Sequence, residues 1–203
     1  MIKVEPITNW KYIFLDTSVI IDLLQNPEKF KESNPQHYHR IVDTQNLFKY
    51  FQRAKEGKGK NYVFYISAIS VAELCGPSEK KLFDKLLSIF SSGDLTFVDF
   101  TKENAFNISR NIREYVPEYQ HHQLINYIEK MREKDRAFYN VRNWVINDLK
   151  LASTARDLNN LDVVLTGDKR TFVPICEKLQ VPCVVTSEFP KDLLGEISTE
   201  IGF

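Results

Sequence analysis

Short apolar runs alternate with amphipathic stretches along the 203 residues of this chain. Tyr12-Ile-Phe-Leu15 is rich in strand formers without polar alternation, which suits a strand buried on both faces. Val19 to Leu24 reads as a short helix that stops before Pro27, and Phe30 to Gln36 is polar and irregular. From about His39 to Glu56, Ile41, Leu47, Phe48, Phe51 and Ala54 recur at roughly helical spacing, with Gly57 as a C-terminal stop. Further strands are predicted at Tyr62 to Ile66, Leu95 to Val98, Val163 to Thr166 and Pro182 to Val185.

The stretches between these strands carry helical signals. Ser70-Val-Ala-Glu73 opens a helix that Gly76-Pro77 ends or interrupts, and helix resumes near Ser78 with Leu82, Leu86, Ile89 and Phe90 on one side. Thr101 caps a helix bearing Ala105, Ile108 and Ile112, and the charged region from Pro117 to Asn143 is helical at Leu124 to Glu133. Asp148 opens a strong helix to Leu158, with Leu151, Ala152 and Ala155 on one face, and Phe172 to Leu179 reads as another. The alternation predicts an α/β fold with a central, mainly parallel sheet of about five strands covered on both faces. One domain is expected over residues 1–203, with helical insertions near 27–60 and 101–143.

Composition adds limits. An apolar share of 43% can build a sizeable core without disulfides or metal staples. The 27 basic and 27 acidic residues balance, which excludes long-range attraction of the whole surface to nucleic acid but not a local basic groove. Cys75, Cys176 and Cys183 have no paired spacing and read as reduced thiols. The first ten residues lack a signal pattern, and no apolar run is long enough for a bilayer. A cytoplasmic chain without a membrane partner is expected.

Three acids stand at or just beyond strand ends, where open α/β sheets place ligands. Asp16 follows the first strand, Asp168 follows Thr166-Gly167, and Glu73 lies a helical turn beyond the second strand. Asp148 opens the helix that leads directly into the Asp168 strand. If the sheet is wound as read, all four can converge. Each like-charged pair at ~4 Å repels by roughly 4 kcal/mol at an effective dielectric near 20. Such a cluster protonates some members or binds cations, and oxygen ligands without His or Cys favour magnesium or manganese. Metal-assisted phosphodiester hydrolysis is the chemistry that follows.

Each acid also has a plain structural explanation. Glu73 completes a capping box with Ser70. Asp148 could serve a helix N-terminus, and Asp168 an ordinary turn. Asp16 is the hardest to dismiss, because it ends an otherwise apolar buried strand.

Four segments together resemble the PIN-domain ribonucleases, particularly the VapC-like toxins of toxin–antitoxin pairs. They are Phe14-Leu-Asp-Thr-Ser-Val-Ile-Ile21, Ile66-Ser-Ala-Ile-Ser-Val-Ala-Glu-Leu74, Asp148-Leu-Lys-Leu-Ala-Ser-Thr-Ala155 and Val163-Val-Leu-Thr-Gly-Asp-Lys-Arg-Thr-Phe172. The resemblance implies a PIN-like three-layer sandwich. It makes Asp16, Glu73, Asp148 and Asp168 the catalytic, metal-binding set for one or two Mg2+ or Mn2+ ions. Thr17, Ser18 and Thr166 would support them. It further implies an endoribonuclease leaving 5′-phosphate and 3′-hydroxyl ends, an antitoxin partner and a homodimer. The gaps between Asp16, Glu73 and Asp148 are longer than in compact toxins of this kind.

Lys169 and Arg170, beside Asp168, are candidate RNA-binding residues or surface decoration. Arg136, Arg142 and Lys150 approach Asp148 in the sequence. Lys49, Arg53, Lys55, Lys58 and Lys60, interleaved with Tyr50, Phe51 and Tyr62, form either a binding face or a solvated helix over core aromatics. His37, His39, His121 and His122 lack zinc spacing and read as surface residues, Asp22 reads as solvated, and Asp94 and Asp99 flank a strand. Ser18 stands where an Asp-x-Asp phosphatase needs its second acid. No Gly-rich phosphate loop or nucleophile elbow is present. Two rivals remain: a non-catalytic PIN-like RNA-binding or protein-interaction module, and a structure-specific DNA nuclease.

Overall fold

The computed structural model of this chain describes residues 4–74, 95–115 and 141–189. The helix expected near Ser78, the helix at 124–133, Cys75, Asp94, Arg136 and the His121-His122 pair lie outside the described residues.

Five strands form one parallel sheet: β1 (Tyr12–Leu15), β2 (Val63–Ser67), β3 (Leu95–Val98), β4 (Val163–Thr166) and β5 (Cys183–Val185), in the order β3-β2-β1-β4-β5. The expected α/β class and strand number therefore hold, and all four pairings are parallel. β1 lies between its two partners, with Phe14 in register with Tyr65 and Val164. Chain order runs outward from β1 in both directions. The sheet's topological switch therefore lies between β1 and β4, where open α/β sheets leave a crevice at the strand C-termini.

Six helices are seen among the described residues: α1 (Thr17–Leu24), α2 (Pro35–Lys58), α3 (Ala68–Leu74), α4 (Lys102–Tyr115), α5 (Val141–Arg156) and α6 (Phe172–Lys178). Strand alternation divides the core into two layers. Ile13, Leu15, Phe64, Ile66, Val163 and Leu165 pack with α1 and α2 on one face. Phe14 and Val164 pack with Leu149, Leu151, Phe172 and Ile175 of α5 and α6 on the other. A fully buried side chain of this kind contributes ~1.5–3 kcal/mol, so both layers hold the sheet from which the site residues emerge.

Four helix boundaries, in three helices, differ from the sequence expectation. α2 starts at Pro35, because Asn34 Oδ1 accepts the His37 amide at 3.1 Å and the polar first turn faces solvent. It ends at Gly59, not Gly57: the left-handed φ of 63° falls there, and the Gly59 amide donates to Lys55 O at 3.0 Å. α3 starts at Ala68, with Ser67 Oγ accepting the Ile69 amide at 3.1 Å, so Ser70 sits inside the helix. α5 begins at Val141, and buried Val145 and Leu149 extend its apolar stripe toward the N-terminus. Asp148 is therefore mid-helix rather than an opening residue.

The segments read as insertions contribute to the packing. Ile41, Leu47, Phe51 and Ala54 of α2 are core residues. α4 is held by a reciprocal cap between Thr101 and Asn104, and its buried Asn111 donates to Ser153 of α5 at 3.0 Å.

Candidate functional site

Asp16 is placed by β1 and α1. The preceding residues are fully buried, so its carboxylate enters the switch crevice from the end of the central strand and is itself only 4% exposed. It is the N-terminal flanking residue of α1 yet makes no capping bond. Both hydroxyls that reach it, from Ser18 and from Thr166 at 2.7 Å, donate to the same oxygen, Oδ2. The hydroxyls are themselves held by backbone. Ser18 Oγ accepts the Gly167 amide at 2.8 Å, and Thr166 Oγ1 accepts the Asp168 amide at 2.9 Å. All three supporting residues named from sequence thus have hydroxyls bonded to site carboxylates, with Thr17 turned toward Glu73.

Glu73 is held differently. Thr17 Oγ1 donates to its Oε2 at 2.5 Å, and Asn147 Nδ2 donates to its Oε1 at 2.6 Å. Because α3 starts at Ala68, the capping-box explanation of Glu73 fails, and its carboxylate bridges α1 and α5 instead. Asn147 escaped the sequence reading. Its signal was adjacency to Asp148, which the misplaced helix start had pushed outside the element.

Asp168 belongs to the turn before α6. Its Oδ1 accepts the amides of Arg170 at 2.7 Å and Thr171 at 3.0 Å, and its Oδ2 accepts the Thr171 hydroxyl at 2.5 Å. The turn role weighed from sequence is therefore real for this residue.

Asp148 projects from the middle of α5, and its buried Oδ2 has no hydrogen-bond partner. Burial and the neighbouring Asp16 carboxylate push its pKa up to about 8, against a smaller pull from the Thr171 hydroxyl; Asp168 and Glu73 add to the rise. Burial likewise lifts Asp16 to about 6, opposed by the Ser18 and Thr166 hydroxyls and reinforced by Asp168 and Glu73. The charges of Asp168 and Glu73 thus reach both Asp16 and Asp148, and that of Asp16 reaches Asp148. Among the described residues, however, no three acidic, His or Cys side chains are close enough to hold one ion together.

The donor set is all oxygen, the class preferred by Mg2+ and Mn2+. An orphaned buried carboxylate oxygen beside a second carboxylate, both hard to ionise alone, is a place where a cation would relieve repulsion. Asp16 and Asp148 fit that requirement best, since Glu73 and Asp168 have bonds on both of their carboxylate oxygens.

The other candidates separate clearly. Lys169 is exposed and paired with Glu188 at 2.6 Å. Phe51 and Tyr62 are core aromatics rather than stacking platforms. His37 meets Gln25 Oε1 at 2.8 Å and packs edge-on against Phe30. Asp22, read as solvated, is instead 0% exposed and carries a two-point bond from Arg40, Nε and Nη2 each at 2.8 Å. The α1 turn that holds it faces α2, so Arg40 replaces the water expected there. Cys176 is a buried free thiol and Cys183 a half-buried one. Among the described residues, no helix is long and apolar enough to cross a membrane.

No family model matches this sequence, and no curated protein matches it. Among solved structures, a chain in the crystal structure of VapBC2 from Rickettsia felis bound to a DNA fragment from their promoter is similar to this one. The match has a TM-score of 0.46 and 16% sequence identity, and covers 86% of this chain and 98% of that chain.

Proposed function

We propose that this protein is a Mg2+- or Mn2+-dependent endoribonuclease of the PIN type, acting as the toxin of a toxin–antitoxin pair. The observation that carries the reading is the buried, unpartnered Oδ2 of Asp148, a carboxylate whose ionisation the nearby charge of Asp16 opposes. A protein without a cation there keeps two carboxylates at the expense of their own ionisation.

Asp16 and Asp148 would hold one or two ions, directly or through water, with Asp168 and Glu73 completing the negative field. Bound ions supply a water of lowered pKa and neutralise charge that builds on a phosphate. The chain's own residues do the positioning. Ser18 and Thr166 fix the Asp16 carboxylate, while Thr17 and Asn147 hold Glu73 where it can orient the attacking water. In-line attack on an RNA phosphodiester then leaves 5′-phosphate and 3′-hydroxyl ends. Under the same reading, an antitoxin segment blocks the crevice, the active form is a homodimer, and the protein works in the cytoplasm.

The test is incubation of the pure protein with labelled RNA and DNA pools, with and without Mn2+. Metal-dependent cleavage of RNA is expected. Cleavage of DNA alone would make it a DNA nuclease, and retention of RNA without cleavage would make it a binding module.

A further inference from the structure

The buried acid that the proposed chemistry leaves unused is Asp22, and its surroundings connect it to the site. Its carboxylate and the Arg40 guanidinium form a two-point pair between α1 and α2, with both contacts at 2.8 Å. The pair lies directly against Gly167. A methyl group placed on Gly167 would meet Arg40 Cδ and Asp22 Oδ2 at 3.2 Å and Arg40 Nε at 3.3 Å. That spacing is tight for any Cβ, so the ion pair fills the space a side chain would take. Gly167 is also the residue whose amide holds Ser18, and Ser18 in turn donates to Asp16. The next amide, from Asp168, holds Thr166, which donates to the same oxygen.

We propose that the Asp22–Arg40 pair is a positioning element for the candidate site, fixing the Gly167–Asp168 turn through which Ser18 and Thr166 hold the Asp16 carboxylate. The planar guanidinium sets a direction as well as a distance, which a single-point contact does not. Net stability is a poor reason for such a pair, because the cost of taking two charges out of water offsets most of their attraction. Gln45 adds to the rigidity of this corner, donating to the backbone carbonyls of Asp22 at 3.2 Å and Gln25 at 2.9 Å.

This inference rests on the reading of the site as a metal centre, and its test separates the two. The full chain is compared as wild type, Arg40→Met, and the double variant Asp22→Asn/Arg40→Gln. The double variant removes both charges and so folds even where an unpaired Asp22 would unfold the first. Mn2+ affinity is read by electron paramagnetic resonance well below the melting temperature, and amide hydrogen exchange is followed at Gly167 and Asp168. Expected are a ten- to hundredfold weaker Mn2+ affinity in the variants and faster exchange at both amides. The Val164 amide, which pairs with Pro182 at the far side of β4, keeps its protection. Variants that match the wild type in Mn2+ affinity and in exchange overturn the positioning role alone. A wild type that binds no Mn2+ overturns the reading of the site, and this inference with it.

Discussion

Thr166 donates to Asp16 Oδ2 across 2.7 Å while its own oxygen receives the Asp168 amide at 2.9 Å. One hydroxyl at the end of β4 thus ties the carboxylate ending β1 to the turn that carries a second carboxylate. Thr166→Val keeps the β-branched shape and removes both bonds. RNA cleavage should fall ten- to hundredfold, and stability by about 1–3 kcal/mol, with the circular dichroism spectrum retained. Full cleavage by the valine variant would reduce this hydroxyl to a strand-end detail.

Asp148 should make the protein sensitive to alkali when no cation is bound. A carboxyl whose pKa rises from its usual 3.8 to about 8 on folding binds protons more tightly in the folded state. Stability is then lost as pH climbs through that window. Asp16, lifted to about 6, adds to the same slope at its lower end. Asp148→Asn should therefore melt several degrees higher than the wild type at pH 8, and the gap should nearly close at pH 4. A melting temperature lowered equally at both pH values would point to a structural partner for the carboxylate instead.

Divalent ions should reverse that slope. At pH 8, Mn2+ at a hundred times its dissociation constant should stabilise the fold by about 2.7 kcal/mol, and a chelator should remove the gain. At pH 5, protons compete for the same oxygens and the gain should shrink. Equal stabilisation at both pH values would place the ion away from Asp16 and Asp148.

Lys169 is exposed and pairs with Glu188, which is exposed as well. Breaking that pair should change stability by no more than about 1 kcal/mol. If a substrate phosphate takes Lys169 from Glu188, Lys169→Ala should weaken RNA binding and reduce its salt slope by about 1. Glu188→Gln should tighten binding. Fluorescence anisotropy across a salt series reads both, and identical slopes would leave Lys169 as a solvated surface residue.

Much of this arrangement could be read from the residues alone, because each strand is a short apolar run with no competing period. β1 and β4 were found to the residue, and with them the positions of Asp16 and Asp168. Helix starts were harder. Ser70 and Asp148 are both good terminal residues, and local propensity cannot tell that Ser67 already caps α3 or that Val145 prolongs the buried stripe of α5. Those two errors bore on the site, since each lent a carboxylate a plain capping role that it does not have. Contacts between distant segments were out of reach altogether. Nothing in the spacing of Asp22 and Arg40 distinguishes a two-point pair that buries the acid from two solvated charges, and Asn147 has no motif until Glu73 is known to face it.

The bond between Thr166 and Asp16 joins residues 150 positions apart. A nascent chain that has just completed β1, β2 and β3 therefore carries Asp16 and Glu73 but neither Asp148 nor Asp168. Only after β4 has left the ribosome and inserted beside β1 can Thr166 tie Asp16 to the turn that carries Asp168. Synthesis itself thus delays that tie until most of the polypeptide exists, and a fragment released early lacks two of the four candidate acids.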